Sequence, residues 1–503
     1  MSKCALLLLY FAPILSLAQK EDYNWIMGAG ISEPFPLYKL NHIQFHSGLF
    51  NAILLNKSAP FFGACAVVSD STGSLVCYTN DINVYNKNHQ VMQNGLAFQT
   101  SANYPNGYPF NQSVLLLPVP DTSGLYIMVD GSHLDIGTTI ISNQLRYSII
   151  DILQNNGLGK VIQRMIPIDN STDTLNLGLI TAVRHADGKD WWFLGVKHKT
   201  NIYRKYKIDV NGVSFIEDQA IGDTVQNGVG YAAFSPSGCW YARYLTYGPA
   251  ANPDGALYIY RFDRNTGELD APLHKLFPKP EYNGGLAFSP NSRYLYVSKF
   301  LQILQYDLHA DDILASETVV AEYDGFLDEQ GVPTRFYGLQ LAPDNKIYGN
   351  IPGFNSRYLH VIDQPDLPGA ACNVIQHAIY LPAHNFGTLP NLPFYRLYEA
   401  TVSCDSLISS ALAPPPAQTR PDIRVWPVPA ADVLYFSADA PWDAPLRLIL
   451  FDALGLPVLE WHDLQLAPTA AISLGELASG AYFYTLLAPD GTAVKSGKVV
   501  RTR

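Results

Sequence analysis

A strand-and-turn unit recurs along the middle of the chain and limits what the chain can fold into. In its clearest copy, Gly284–Leu308, an apolar run leads into the turn Ser289–Ser292, and two stretches of alternating polar and apolar residues follow. Proline presets φ for a type I turn, and the alternation is typical of half-buried strands. Three adjacent strands leave one apolar face uncovered, so the unit requires copies of itself.

Further copies lie at nearly equal spacing. Counted from proline to proline, Gly230–Pro236 lies 54 residues before the first copy and Tyr337–Pro343 lies 53 residues after it. A period of roughly 50 residues with several strands is that of propeller blades. Six such units are readable, and Phe386–Pro393 is predicted to begin a seventh that strands from the N-terminus complete. The sequence therefore predicts an all-β propeller of seven blades, with six as the alternative.

Composition agrees with this fold and excludes some functions. Only 15% of the residues are charged, while Tyr, Phe, Gly and Pro are abundant, which favours strands and turns over helices. The net charge of −11 argues against a nucleic-acid partner and against an anionic membrane surface. The motifs of nucleophile elbows, phosphate loops and zinc proteases are missing from the sequence. We therefore assign no catalytic residue, cofactor or metal from sequence.

The first 18 residues predict export. Lys3 precedes the apolar run Ala5–Leu17, and small residues flank Leu17, as in a secretory signal peptide cleaved after Ala18. A membrane anchor is the weaker alternative, because the run is shorter than the ~20 apolar residues that span a bilayer. No later segment is predicted to cross a membrane.

Five cysteines follow the predicted signal peptide, so at least one thiol has no intramolecular partner. Cys65 and Cys77 are placed to face each other across a predicted hairpin, and Cys372 with Cys404 is a looser pairing. Buried free thiols are the favoured alternative for both pairs.

A proline-rich spacer, Ala411–Pro421, separates two predicted domains, residues 19–410 and 422–503. About seven short strands with turn signals between them follow the spacer within some 80 residues. This spacing predicts a small immunoglobulin-like β-sandwich.

The C-terminal domain resembles the sorting domain of proteins that the bacterial type IX secretion system exports. The matching stretches are Val425–Ala430, Leu450–Val458, Leu477–Thr485 and Lys495–Arg503, in the family's order, although Val428 replaces the usual Asn. The resemblance implies transport through the periplasm to the cell surface or the medium, with the type IX machinery as a partner. The positions it marks as the sorting signal are Pro427, Pro429, Gly455, Gly480, Tyr482, Lys495 and Lys498.

The larger part, over nearly all of residues 23–393, resembles an uncharacterised WD-like or lactonase-like propeller family found on such exported proteins. The resemblance lies in Val84–Gly95, Leu145–Asp151, Thr181–Trp192, the FSP and LAP repeats and Leu389–Leu392. It implies an architecture and a location but no activity.

One hairpin of the predicted third blade carries several reactive side chains. Arg184 would bind an anionic group, His185 would act as base or ligand, Asp190 adds a carboxylate, and Trp191 offers a face for sugar stacking. The alternative is a structural turn with a local Arg/Asp pair and buried tryptophans.

These patterns favour a secreted or surface propeller that binds a protein or a glycan. The alternative is a propeller hydrolase or lyase acting on a lactone or polysaccharide, because such sites are assembled from single residues on different blades. A purely structural surface role is the third hypothesis.

Overall fold

The computed structural model describes residues 19–28, 39–46, 50–57, 59–99, 108–135, 140–169, 173–247, 255–277, 284–352, 356–397, 423–438, 445–452, 457–466, 469–475, 477–488 and 493–502. The predicted signal peptide, the spacer Ala411–Pro421 and Gly455 lie outside these residues. The chain divides into two compact units, Met1–Ser409 and Ser410–Arg503. Among the described residues, no helix is long and apolar enough to cross a membrane.

Seven antiparallel sheets occupy the described part of the first unit, and consecutive strands pair within each sheet. We name the sheet of β1–β3 blade seven, and the sheets β4–β6, β7–β10, β11–β14, β15–β18, β19–β22 and β23–β26 blades one to six. The strands are β1 Asn24–Gly28, β2 Leu40–Gln44, β3 Asn51–Leu55, β4 Ala66–Ser69, β5 Leu75–Thr79, β6 Val84–Asn86, β7 Val114–Pro118, β8 Leu125–Asp135, β9 Ile140–Asp151, β10 Lys160–Pro167, β11 Ala182–Arg184, β12 Trp191–Val196, β13 Ile202–Asp209, β14 Gly212–Ala220, β15 Val229–Phe234, β16 Trp240–Tyr247, β17 Gly255–Phe262, β18 Leu269–Phe277, β19 Leu286–Phe288, β20 Tyr294–Lys299, β21 Gln302–Asp307, β22 Thr318–Glu322, β23 Leu339–Leu341, β24 Ile347–Gly349, β25 Ser356–Ile362 and β26 Val374–Asn385. One helical turn, Gln154–Gly157, precedes β10, and one 3₁₀ turn, Gly369–Cys372, precedes β26.

The predicted repeat turn has the same geometry in blades four, five and six. Its first carbonyl accepts a hydrogen bond from the N–H three residues later, at 2.8 Å, 2.9 Å and 3.1 Å. The donating residues Gly238, Ser292 and Asn345 have φ of 73°, 62° and 63°. Glycine and asparagine tolerate this left-handed region, and a residue of this kind after a type I turn returns the chain into an antiparallel strand. The prediction of a repeated propeller unit is confirmed.

The two ends of the first unit close the ring together. β1 runs antiparallel to β4, since Ser69 N–H donates to Glu21 O (2.8 Å) and Cys65 Sγ donates to Ile26 O (3.1 Å). The segment 386–396 runs antiparallel to β1. Thr388 Oγ1 accepts a hydrogen bond from the N–H of Gly28 at the end of β1, and Arg396 pairs with Asp22, which precedes β1. It thus takes the innermost position of blade seven, which confirms the prediction that the chain termini share this blade.

Apolar side chains between the sheets form the core of the ring. The largest cluster joins blade seven to blades two, three and six, with Trp25, Leu115, Trp191 and Leu359 at 0% exposure. Between blades seven and six, the Asn41 amide bonds both the N–H and the carbonyl of Ala383 (2.8 and 2.9 Å). Packing and paired backbone groups therefore join blade seven to its neighbours and close the ring.

The described part of the second unit consists of two sheets. Its strands are β27 Ile423–Trp426, β28 Val433–Ala438, β29 Leu446–Phe451, β30 Pro457–Leu464, β31 Ala470–Ser473, β32 Gly480–Leu487 and β33 Ala493–Arg501. One sheet has the strand order β27-β28-β31, and the other has the order β30-β29-β32-β33. Phe436 and Ile472 of the first sheet share a buried core with Leu448 and Leu486 of the second. The two sheets thus form a sandwich, whereas the immunoglobulin-like assignment stays a prediction.

The sorting-signal positions are spread over this unit. Pro427 and Pro429 connect β27 to β28, and the adjacent Ala430 forms a parallel bridge with Arg501 near the C-terminus. Gly480 and Tyr482 lie in β32, and Lys495 and Lys498 lie in β33. That they act as a sorting signal stays a prediction.

The cysteines differ from the predicted pairs. Cys65, Cys77 and Cys372 are free and buried. Cys77 lies opposite Val68 in the β4–β5 register, so it does not face Cys65, and the favoured alternative of buried thiols is confirmed for this pair. The looser pairing of Cys372 is wrong, because its thiol is free. Cys239, by contrast, is disulfide-bonded.

Candidate functional site

The innermost strands of blades one to six run in one sense along a central channel. We call the end where these strands start the entry end, and the end where they finish the exit end. The predicted ligand residues Arg184, His185, Asp190 and Trp191 lie at the exit end, where β11 finishes and β12 begins.

Arg184 and Trp191 contact each other. The guanidinium carbon lies 4.0 Å from the centroid of the indole, and Nη1 donates to Lys189 O (2.7 Å). Trp191 is fully buried and packs edge to face against Tyr395, with 5.7 Å between the ring centroids. Trp191 is therefore buried between Arg184 and Tyr395, and because the indole is not exposed, no sugar ring can reach its faces in this arrangement.

His185 and Asp190 take part in the hairpin turn. The imidazole Nδ1 lies 3.0 Å from Asp187 Oδ2, and the backbone N–H of His185 donates to Asp190 O (2.8 Å). The Asp190 carboxylate pairs with Lys207 Nζ at 2.8 Å. Both side chains thus already have partners within blade three, although Asp190 pairs with Lys207 and not with an arginine as the structural alternative supposed.

Two acidic residues of the N-terminal segment lie at the same end. Burial raises the pKa of the Glu21 carboxyl to about 7, against the opposing field of Arg184, and Glu21 Oε2 has no hydrogen-bond partner. Burial likewise raises the pKa of Asp22, although its ion pair with Arg396 (2.6 Å) opposes the change. Sequence analysis missed both residues, because they precede the first strand and match no motif.

The cavity beside these charges is small. About 50 Å³ of space lies against the innermost strands of blades three to six, with Asp22, Gln112, Thr181 and Leu392 in its lining. Ligand pockets of drug-sized molecules span roughly 300–1,000 Å³, so this cavity accommodates only a few water molecules.

Side chains fill the channel next to the cavity. Asn391 Nδ2 donates to Val114 O (2.8 Å) and to Ile180 O (2.7 Å), which bridges blades seven, two and three. Gln112 bonds both the carbonyl and the N–H of Ala232 in blade four (2.9 and 2.7 Å). At this level the described part of the channel is therefore filled by packed polar side chains.

The entry end presents uncharged polar groups. Asn111 Nδ2 donates to Tyr337 Oη (2.5 Å), which joins blade two to blade six across the channel. Asn111 Oδ1 and both amide atoms of Asn350 are buried and have no hydrogen-bond partner.

A pair of acids lies beside this end. Asp81 and Asp130 are fully buried, and both accept a hydrogen bond from Gln99 Nε2 (3.4 and 3.2 Å). Burial raises the pKa of both carboxyls, and Arg146, which pairs with Asp130, opposes the change. Neighbouring buried carboxyls with raised pKa are an arrangement that some enzymes use as general acid and base.

An aromatic cluster lies on the outside of blade six, at the β22–β23 connection and on strands β25 and β26. Phe326 and Tyr380 are exposed by 37% and 48%, and they are the two most exposed of the Phe, Tyr and Trp side chains in the described part of the propeller. Tyr358 lies between them, with ring centroids 5.5 Å from Phe326 and 5.0 Å from Tyr380. His377 stacks on Phe326 at 4.2 Å. We call these four side chains the blade-six aromatic surface.

Charged groups fix the orientation of these rings. Arg357 lies over the Tyr380 ring at 4.1 Å and donates to its hydroxyl (2.8 Å). Tyr358 Oη donates to Glu329 Oε1 (3.0 Å), and His377 Nε2 lies 2.9 Å from Asp324 Oδ2. The surface is therefore a rigid aromatic row with a charged border.

No group of three or more His, Cys, Asp or Glu among the described residues is arranged to hold a metal ion. The predicted exit-end residues lie together, but each has a structural partner. The blade-six aromatic surface was not predicted, because its members come from a loop and two strands and form no linear motif.

Comparisons with known proteins add the following. No family model and no curated protein matches the chain. Among solved structures, a functionally unknown protein from Desulfotomaculum acetoxidans has a TM-score of 0.39 and 15% identity, and 74% of this chain matches 99% of that one. A protein from Lactobacillus plantarum has a TM-score of 0.41 and 11% identity, with 72% and 98% covered.

The Dos1 propeller has a TM-score of 0.39 and 11% identity, with 73% of this chain and 87% of that one covered. Likenesses of this strength carry no argument about function. The fold follows from the sheet order and the ring closure of the chain itself, and the first unit is a seven-bladed β-propeller.

Proposed function

We propose that this protein is exported by the type IX secretion system and binds a neutral glycan on the blade-six aromatic surface. The observation that carries the proposal is the clustering of the two most exposed Phe, Tyr and Trp side chains of the described propeller, Phe326 and Tyr380, around Tyr358. Monomeric proteins bury most large aromatic side chains, so exposed rings held together by fixed partners indicate a contact surface.

Ring faces and carboxylates together suit a carbohydrate. The C–H groups of a pyranose pack against aromatic faces, and its hydroxyls donate to carboxylate oxygens such as those of Asp324 and Glu329, which can accept several hydrogen bonds each. The net charge of −11 disfavours a polyanionic glycan. A neutral polysaccharide therefore fits this surface best.

Export is supported by the sequence resemblance of residues 422–503 and by the predicted signal peptide. The disulfide of Cys239 agrees with an oxidising compartment outside the cytosol. Deleting residues 422–503 in the native host tests this part of the proposal. The truncated protein is expected to accumulate in the periplasm, and its arrival in the medium at the level of the full chain would refute the route.

Glycan binding is tested by native gel electrophoresis in starch, xylan, mannan or β-glucan, with alginate as the polyanionic comparison. Tyr380→Ala is expected to weaken retardation by a neutral polysaccharide about tenfold, because a ring contact contributes roughly 1.4 kcal/mol. Leu276→Ala, which removes an exposed apolar side chain from blade four, is the matched control. Unchanged binding by Tyr380→Ala would refute the surface, and binding of a protein instead would refute the ligand class.

A hydrolase or lyase is the second candidate, favoured by the two buried carboxyls of Asp81 and Asp130, which share the donor Gln99. Both groups are completely buried, and Gln99 occupies the space between them. A substrate has no contact with either carboxyl in this arrangement. We therefore place binding before catalysis, and lactone or polysaccharide turnover that Asp81→Asn abolishes would reverse the order.

A further inference from the structure

We infer that the contact between blade seven and blade one is a pH switch, which weakens in acid at the place where the N-terminal strands close the ring. It is independent of the blade-six aromatic surface. The switch consists of His42 on β2 and His89 in the turn after β6, whose ring centroids lie 6.0 Å apart. We call them the histidine pair. His42 is 9% exposed, and Nδ1 of His89 is buried without a hydrogen-bond partner.

A chain of hydrogen bonds fixes the position of the proton on the neutral His42 ring. Asn24 Nδ2 donates to Ser69 Oγ (2.8 Å) and to Gly73 O (2.7 Å), both in blade one. The amide oxygen of Asn24 lies 2.7 Å from Nε2 of His42, and as an acceptor it requires a hydrogen on that nitrogen. The neutral imidazole therefore connects β2 through β1 to the β4–β5 hairpin.

The groups that act on the histidine pair are cations or neutral rings. Burial lowers the pKa of His42 to about 4, and His89 and His46 shift it in the same direction. Burial also lowers the pKa of His89, and Lys57, which follows β3, adds to this shift. The Tyr78 ring lies 5.8 Å from His89, and burial raises the pKa of its hydroxyl, so it stays neutral. No carboxylate among the described residues contributes to the pKa of either histidine.

The carboxylates of the neighbouring segments have other partners or surroundings. Asp70 in the β4–β5 hairpin accepts hydrogen bonds from the backbone N–H groups of Thr72 and Ser74 (2.9 and 3.0 Å). Burial raises the pKa of Glu21, which precedes β1, to about 7, and neither member of the histidine pair contributes to that change. A proton that the histidine pair takes up in the closed ring therefore meets other cations and no counter-charge.

The direction of the pH effect follows from the two states of the contact. When β1 and β2 separate from blade one, the histidines enter water, where the pKa of this side chain is about 6.5. The open form then binds protons that the closed form excludes between about pH 6.5 and about pH 4. The contact is therefore strongest above this range, and its opening equilibrium rises up to about tenfold per pH unit for each histidine as pH falls through it.

Hydrogen–deuterium exchange of the full chain between pH 7 and pH 4.5, corrected for intrinsic exchange rates, tests the switch. Strands β1 and β2 should lose protection in acid before β16 of blade four does. His42→Gln keeps an amide nitrogen that can donate to Asn24 but cannot take up a proton, so its β1 and β2 should open at least tenfold less at pH 4.5 than those of the unmodified protein. Glu21 is present in both proteins, and its opposing contribution cancels.

His309→Gln is the matched control, because burial lowers the pKa of this blade-five histidine as well. It should change the opening of β1 and β2 less than twofold. Equal opening of β1 and β2 at pH 4.5 in His42→Gln and the unmodified protein would overturn the inference, as would simultaneous loss of protection in every blade. Should His42→Gln already open at pH 7, His89→Asn replaces it, since asparagine tolerates the φ of 60° at this position. An unchanged acid response of His89→Asn would then overturn the inference.

Discussion

Glu21 gives the sharpest test of the electrostatics at the exit end. Burial raises its pKa from 4.5 to about 7, so the folded state holds a proton on this carboxyl that the unfolded chain releases between these pH values. Because the unfolded state then binds fewer protons, stability falls as pH rises from about 4.5 to about 7. At about 1.4 kcal/mol per pH unit, the loss amounts to about 3 kcal/mol.

The perturbation is Glu21→Gln, which keeps the shape of the protonated carboxyl and cannot ionise. Its free energy of unfolding should match that of the unmodified protein near pH 4.5 and exceed it by about 3 kcal/mol at pH 8. Urea unfolding at several pH values, followed by tryptophan fluorescence, measures this difference. Titrating groups that do not interact with Glu21 contribute equally to both proteins and cancel.

Glu268→Gln is the matched control, because it removes one negative charge from an exposed side chain of blade four. A difference for Glu21→Gln that is the same at pH 4.5 and pH 8 would refute the assignment of a buried, proton-holding carboxyl. A Glu21→Gln protein that becomes less stable than the unmodified protein as pH rises would also refute the assignment, because the expected difference has the opposite sign.

Three further outcomes are expected. Arg396→Met leaves the buried Asp22 carboxylate unpaired, so urea unfolding should show a free energy of unfolding that is lower by about 3–5 kcal/mol. Arg293→Met, which breaks an exposed ion pair, is the control and should lower it by less than about 1 kcal/mol. Asn391→Leu should lower the thermal unfolding midpoint measured by calorimetry, because the carbonyls of Val114 and Ile180 lose their hydrogen-bond donor. Each unpaired carbonyl should cost about 1–3 kcal/mol of stability. An unchanged midpoint would contradict a channel filled by this side chain. A thiol reagent should modify Cys65, Cys77 and Cys372 only after denaturation, because these thiols are buried and burial raises the pKa of each.

The ring was predictable from sequence because its repeat is local. The turn Ser289–Ser292 fixes where one strand ends and the next begins, and β20 starts two residues after it, in the first of the two alternating stretches. The outermost strands gave no such signal. Thr318–Glu322 is largely exposed on both faces and is held by its pairing with β21, so its residues need no apolar alternation.

The blade-six aromatic surface was not predictable, for a reason that the strand register shows. Tyr358 and Tyr380 are direct partners across β25 and β26, and this register brings together rings that are far apart in sequence. Arg184 and Trp191 were visible because one hairpin joins them, yet the sequence does not show that the guanidinium covers the indole. Composition indicates which side chains exist, whereas register and packing decide which faces remain open.

Closing the ring also decides where ligands can bind. Pro390 and Pro393 lack backbone N–H groups, so the segment 386–396 cannot form a regular ladder with β1. The Asn391 side chain replaces that ladder with hydrogen bonds to two other blades, and Arg396 anchors the end of the segment on Asp22. The residues that join the two ends of the propeller therefore also fill its channel. Among the described residues, the channel at this level leaves room for only a few water molecules, and this favours a binding surface on the outside of the blades.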